Sequence, residues 1–276
     1  MSCMIVAEVG QNHNGDLNLA KKIISMAKSA GCDAVKFQKR TPKLCVPKDV
    51  RKKMKETPWG KMSYLKYREK LEFGFEEYNE IDCHCQDLGI EWFVSVWDIP
   101  SLDFMLENYP GNRIVKIPSA MVKHLELVKA VKDCGLTPMI STGMSTIKEI
   151  EQALKILDHE TMVAACTSSY PCATMDINLS FIETLRDRYP QHLVGYSGHE
   201  LGIQITEAAV ALGADFVERH VTMDRTMWGS DHAASLEPSG LQKMCRDIRI
   251  IESAMGDGIK RIYDSEKDSI ERLKFK

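Results

Sequence analysis

The 276-residue chain has no apolar run approaching 18 residues, and no basic stretch leads into an apolar one at its start. The first absence excludes a membrane-spanning helix and the second predicts no secretory signal. Neither GxGxxG nor GxxxxGKS/T occurs, so a glycine loop cradling a nucleotide's phosphates is not the expected chemistry. Nine cysteines are present without a CxxC pair. An odd number of thiols, scattered through apolar and helical contexts such as Cys32, Cys134 and Cys166, predicts reduced cysteines and a cytoplasmic setting. Cys83-His84-Cys85 comes nearest to a metal motif, but residues two apart on a helix do not share a face. Charge of one sign is also scarce. A net −3 gives no global pull toward nucleic acid or an anionic membrane, so any anion must be held by a local site.

What is present is ordinary globular composition, 44% hydrophobic and 27% charged, at a length close to the roughly 250 residues of one α/β barrel. Short apolar runs alternate with longer stretches of helical period, the pattern of parallel strands joined by crossover helices. The predicted strands are Met4–Glu8, Ala34–Gln38, Trp92–Val96, Ile114–Ile117, Pro138–Thr142, Met162–Thr167, Leu193–Tyr196 and Phe216–His220. Helices are predicted between and after them, including Leu17–Ala30, Phe75–Leu88 and Ser101–Asn108, with Ser101 as an N-cap. Eight βα units predict a single-domain (β/α)8 TIM barrel over residues 1–259, followed by a charged, weakly helical tail, 260–276. The basic segment Lys39–Lys61 carries three prolines and no clear period. It reads as a functional loop or lid, or as a solvated insertion.

In a barrel of this kind catalytic groups stand at the C-terminal ends of the strands. Those ends carry Glu8; Lys36 and Gln38; Ser95; Lys116 and Ser119; Ser141 and Thr142; Thr167 and Ser168; Ser197 and His199; and Glu218 and His220. Two lysines among several hydroxyls suit a small, multiply charged anion, a phosphorylated and carboxylated molecule. Structural ion pairs of Lys36 and Lys116 with Glu8 or Glu218 are the other reading of the same residues. His199 and His220, on neighbouring strands, present two imidazoles to one ion. With water and substrate oxygens completing the shell, they suit Mn²⁺ or Mg²⁺ used as a Lewis acid. His13 and His232 fall in loops at the same mouth, open either to substrate contact or to a structural hydrogen bond.

Taken in order, AEVGQNHNG, VKFQ, KIPS, STGM, CTSSYP, YSGH, ERH and GSDHAAS resemble the sialic acid synthases, the N-acetylneuraminate synthase group of phosphoenolpyruvate-dependent condensing enzymes. The resemblance implies attack of phosphoenolpyruvate C3 on the aldehyde of an open-chain N-acylated mannose-type sugar. Water adds at C2 and phosphate leaves by C–O cleavage, giving a nine-carbon 2-keto acid of sialic, legionaminic or pseudaminic type. It implies that His199 and His220 hold the divalent ion, that Lys36, Lys116, Ser119, Ser141 and Ser197 hold phosphoenolpyruvate, and that Glu8 contacts the sugar or manages proton and water. Gln38, Ser95, Thr167, Tyr170, Asp231 and His232 join the substrate-binding set, and a homodimer is the expected assembly.

Three departures qualify the transfer. Met121 stands where the family has an acid, and SVWD at Ser95–Asp98 replaces a motif commonly written STPFD. The small C-terminal antifreeze-like domain of typical members is not in this sequence. Cover for the mouth is therefore expected from Lys39–Lys61, through Lys43 or Arg51, or acyl selectivity is relaxed. Condensation with another aldose or aldose phosphate, and a barrel that binds without turnover, are the alternative expectations.

Overall fold

A computed structural model describes residues 2–275; Met1 and Lys276, which the expected domain and tail boundaries include, lie outside the described residues. Eight parallel strands close into a barrel in chain order: β1 (Met4–Gly10), β2 (Ala34–Lys39), β3 (Glu91–Val96), β4 (Ile114–Ile117), β5 (Thr137–Ser141), β6 (Met162–Cys166), β7 (Leu193–Gly198) and β8 (Phe216–His220). The crossover helices are α1 (Leu17–Ala30), α2 (Phe75–Leu88), α3 (Ile99–Asn108), α4 (Leu125–Asp133), α5 (Ile147–Leu157), α6 (Phe181–Arg188), α7 (Gln204–Ala211) and α8 (Pro238–Met255). The (β/α)8 barrel predicted from alternation is the fold observed.

Local chemistry explains the boundaries. Asp16 caps α1 by accepting from Asn18 N and Leu19 N, and the helix buries Ala20, Ile23, Ile24 and Ala27, one face at helical spacing. Thr146 and Glu149 close a capping box on α5. The expected cap of α3 is corrected. Asp98 takes that position, accepting from Ser101 N at 2.8 Å and from Ser101 Oγ at 2.7 Å, because Pro100 fits the first turn, where no N–H is needed.

The strands are buried on both faces, and period-two alternation sorts their side chains. Outward residues such as Ile5, Ala7, Val35, Val94 and Val217 pack under the helices in the main core. Inward residues Val6, Ala34, Phe93, Met139, Met162, Ala164 and Phe216 plug the barrel. Phe216 crowds the axis so closely that a Cβ on Gly195 would lie 2.4 Å from its carbonyl oxygen; no larger residue fits there.

The basic insertion has more structure than its sequence suggests. Lys39–Lys61 holds a short helix, Pro42–Cys45, and the strand Met54–Lys55, which pairs antiparallel with Met62–Ser63 just beyond it, where a helix, Tyr64–Leu71, follows. The tail carries one exposed helix, Lys267–Leu273.

Candidate active site

Two residues beyond the apolar plug, the inward positions turn polar on every strand. Glu8, Lys36, Ser95, Lys116, Ser141, Cys166, Ser197 and Glu218, one from each strand, line a cavity of about 230 Å³. The next inward positions, Gln38, Trp97, His199 and His220, line its upper wall, with Ser119, Ser168 and Tyr170 from the following loops. The register makes this convergence unavoidable: Glu8 lies opposite Lys36 on one side and His220 on the other, and Ser197 opposite Glu218.

Four charged groups form the floor, each at most 4% exposed. Lys36 Nζ pairs with Glu8 Oε2, donates to Ser95 Oγ at 2.7 Å and lies 3.8 Å from Glu218 Oε2. Lys116 Nζ lies 2.6 Å from Glu218 Oε1, which also accepts from Ser197 Oγ at 3.1 Å. Both lysines are thus ion-paired and both face the cavity. The formal charges cancel, so an incoming anion meets no excess of negative charge. Burial raises the Glu8 carboxyl above its ordinary value, against the opposing pull of Lys36. Burial would raise Glu218 too, but Lys116 and Lys36 outweigh it and hold that carboxyl down at about 2. Burial lowers Lys116.

The two histidines stand with ring centroids 5.4 Å apart. Burial, reinforced by the neighbouring His220, lowers His199 to about 3; burial likewise lowers His220, to about 4. Both rings are therefore neutral near pH 7 and carry a lone pair. His199 Nδ1 lies 2.9 Å from the Thr167 carbonyl, an acceptor, so it holds the proton and Nε2 is the lone-pair nitrogen. His220 Nδ1 is buried without a hydrogen-bond partner among the described residues. Among the described residues no third His, Cys, Asp or Glu joins them in a metal-binding group. Two neutral imidazoles, one oriented by a carbonyl and one with an unmet buried nitrogen, fit an ion whose other ligands are oxygens from water or substrate.

Other expected site residues are placed differently. Thr167 turns its hydroxyl to Asp176 O at 2.9 Å, and its carbonyl is what orients His199. His232 is 1% exposed, with Nδ1 2.7 Å from Thr222 Oγ1. Asp231 stands 3.9 Å from His220 Nδ1. None of the three lines the cavity. His13 stacks on Phe73 at 4.0 Å and accepts from Gly15 N at 3.1 Å, holding the β1–α1 loop. Ala120, not Met121, faces the cavity; Met121 packs against the core. In the insertion, Arg51 donates back to Val46 O at 3.0 Å and to Lys43 O, and neither Lys43 nor Arg51 lines the cavity. Arg40 instead touches residues that do: its guanidinium stacks 4.0 Å over Trp97, pairs with Glu72 at 3.4 Å and donates to Gln38 Oε1. That fixes the Gln38 amide, whose Nε2 donates to Glu8 Oε1 at 2.7 Å. Sequence reasoning gave Arg40, Trp97 and Cys166 no role, although Trp97 and Cys166 continue the inward period of their strands.

A sequence profile of the NeuB family matches residues 23–260. The chain is 39% identical to the N,N'-diacetyllegionaminic acid synthase of Campylobacter jejuni, over 97% of this chain and 81% of that protein. It is 38% identical to human N-acetylneuraminate-9-phosphate synthase, over 98% of this chain and 76% of that one. Among solved structures, the N-acetylneuraminic acid (sialic acid) synthetase of Leptospira borgpetersenii, in complex with citrate, superposes with a TM-score of 0.87 at 33% identity. That match covers 100% of this chain and 94% of the synthetase.

Proposed function

This chain belongs to the NeuB family, an enzyme that forms a carbon–carbon bond with phosphoenolpyruvate, and from that premise we propose that its acceptor is an N-acylated mannose-type sugar aldehyde. The products are then phosphate and a nine-carbon 2-keto sugar acid. The observation that carries the phosphoenolpyruvate half of the reading is Ser141 Oγ, buried in the cavity wall without a partner among the described residues, in a cavity that two lysines also line. A buried hydroxyl of that kind calls for a bound acceptor oxygen.

In this proposal Lys36 and Lys116 offset the charge of phosphate and carboxylate, and Ser119, Ser141 and Ser197 fix which face of the enol meets the aldehyde. A divalent ion such as Mn²⁺ or Mg²⁺, held by His199 and His220, would polarise the aldehyde oxygen. Gln38 and Tyr170 contact the acceptor. Glu8, whose carboxylate is paired with Lys36 and made more basic by burial, takes the proton from the water that adds at C2. We place the reaction in the cytoplasm, in keeping with nine free thiols. No helix among the described residues is long and apolar enough to cross a membrane.

The test is phosphate release from phosphoenolpyruvate with Mn²⁺ and, in separate reactions, N-acetylmannosamine, its 6-phosphate and a diacetamido-trideoxy relative. Release with one of them supports the reading and names the acceptor. No release with any, in protein that binds phosphoenolpyruvate, overturns it.

A further inference from the structure

Arg219 is the largest of the fully buried side chains among the described residues. It alternates with Glu218 and His220 on β8, so it points away from the cavity, outside the machinery described above. Both terminal nitrogens of its guanidinium are engaged, the NH1 hydrogens shared among three acceptors, while Nε is buried without a partner among the described residues. NH1 donates to Glu200 Oε1 at 2.8 Å, to Thr206 Oγ1 at 2.9 Å and to Gly202 O at 2.9 Å, and NH2 donates to the Glu200 backbone carbonyl at 2.6 Å. Glu200 is 1% exposed and also accepts from Tyr196 OH at 2.8 Å and Thr206 Oγ1 at 2.9 Å.

Position in the chain gives this pair its meaning. Arg219 immediately precedes His220, and Glu200 immediately follows His199. The paired register of β7 and β8 ends at Gly198 and Arg219, so no ladder bond ties His199 to the strand that carries His220. The backbone leaves the sheet there and is held at two carbonyls by Arg219. Glu200 folds back under Gly198 so tightly that a Cβ on that glycine would lie 2.4 Å from Oε2. A buried ion pair seldom adds stability over an apolar pair of like volume, which directs attention to what the pair holds in place.

We propose that Arg219 and Glu200 are positioning residues that set the separation of the His199 and His220 imidazoles and so determine affinity for the divalent ion. The inference rests on the reading that these histidines share one ion. Outer partners that orient metal ligands typically change affinity by about 10–100-fold.

The experiment is Mn²⁺ binding to metal-stripped protein, followed by the loss of the free-ion electron paramagnetic resonance signal. Arg219→Lys keeps the charge but cannot span all four acceptors. Tyr196→Phe removes only a hydroxyl that steadies Glu200, which keeps the idea testable if the lysine variant does not fold. Weakening of about tenfold or more in Arg219→Lys, and of severalfold in Tyr196→Phe, in proteins with wild-type circular dichroism, supports the clamp. Affinity within twofold of wild type in the folded variants overturns it. Wild-type protein that binds no Mn²⁺, or His220→Ala that binds it normally, overturns the two-histidine site itself, a separate outcome.

Discussion

Lys116→Met removes one half of a buried ion pair. Lys116 Nζ and Glu218 Oε1 are 2.6 Å apart and almost wholly shielded from solvent, so the variant leaves Glu218 with Ser197 Oγ at 3.1 Å and Lys36 at 3.8 Å. Stranding a buried carboxylate in this way costs about 3–5 kcal/mol. The depression of Glu218 from 4.5 to about 2 gives the same size, since about 1.4 kcal/mol per tenfold change in proton affinity amounts to about 3 kcal/mol. The sign follows from the direction. A depressed carboxyl stabilises the fold above pH 4.5 and loses that contribution as pH falls toward 2. The variant's deficit is therefore greatest near pH 7 and shrinks in acid, where its carboxyl is protonated. Adding Glu218→Gln removes the stranded charge and restores most of the loss at pH 7. Urea unfolding of the wild type and both variants at pH 7 and pH 3 measures all three quantities. A deficit under about 1 kcal/mol at pH 7, or one that grows in acid, would refute the reasoning.

Gly143→Ala places a Cβ 2.2 Å from Ser168 Oγ and 2.9 Å from Ser119 Oγ. It should raise the KM for phosphoenolpyruvate by on the order of tenfold, about 1.4 kcal/mol, with an almost unchanged melting temperature. Glu72 is raised to about 7 by burial, which outweighs Arg40 and Lys39. A raised carboxyl favours the fold at low pH and loses that contribution as pH rises through 7, so Glu72→Gln should gain on the wild type in melting temperature between pH 5 and pH 8. Arg40→Met frees the Gln38 carbonyl and lets the amide turn from Glu8. Steady-state kinetics should show a lower kcat, with the KM for phosphoenolpyruvate changed less than twofold.

The polar strand ends could be read from sequence because each follows an apolar strand body, and a period of two then puts them in one layer. Glu218 and His220 share that face, as do Ser197 and His199. The insertion could not be read the same way. In Tyr64–Leu71 the buried residues are Tyr67, Arg68 and Leu71, and an arginine on the inner face hides the stripe that marks a helix. Lys55 lies over the rings of both Tyr67 and Trp228, a tertiary contact that no local pattern encodes. Motif spacing puts Thr167, Asp231 and His232 in the segments after their strands but cannot tell which way they face. In loops, orientation is decided by hydrogen bonds such as Thr167 Oγ1 to Asp176 O and His232 to Thr222. Arg40 was hidden for the opposite reason: one charge in a basic segment carries no mark of the tryptophan it will stack on.

The seam between β1 and β8 has a consequence for how the protein comes into being. Glu8 emerges from the ribosome more than two hundred residues before His220, yet they are lateral neighbours. Asn12 reaches across the same seam to Val221 O and Ser235 Oγ, each at 2.8 Å. The early strand must wait, with one edge unpaired, until β8 has been synthesised, and pairing across so long a separation is slow. The cavity therefore does not mature gradually as strands are added. It is completed in the same event that closes the barrel, and chain fragments ending before residue 220 are expected to have none of its chemistry.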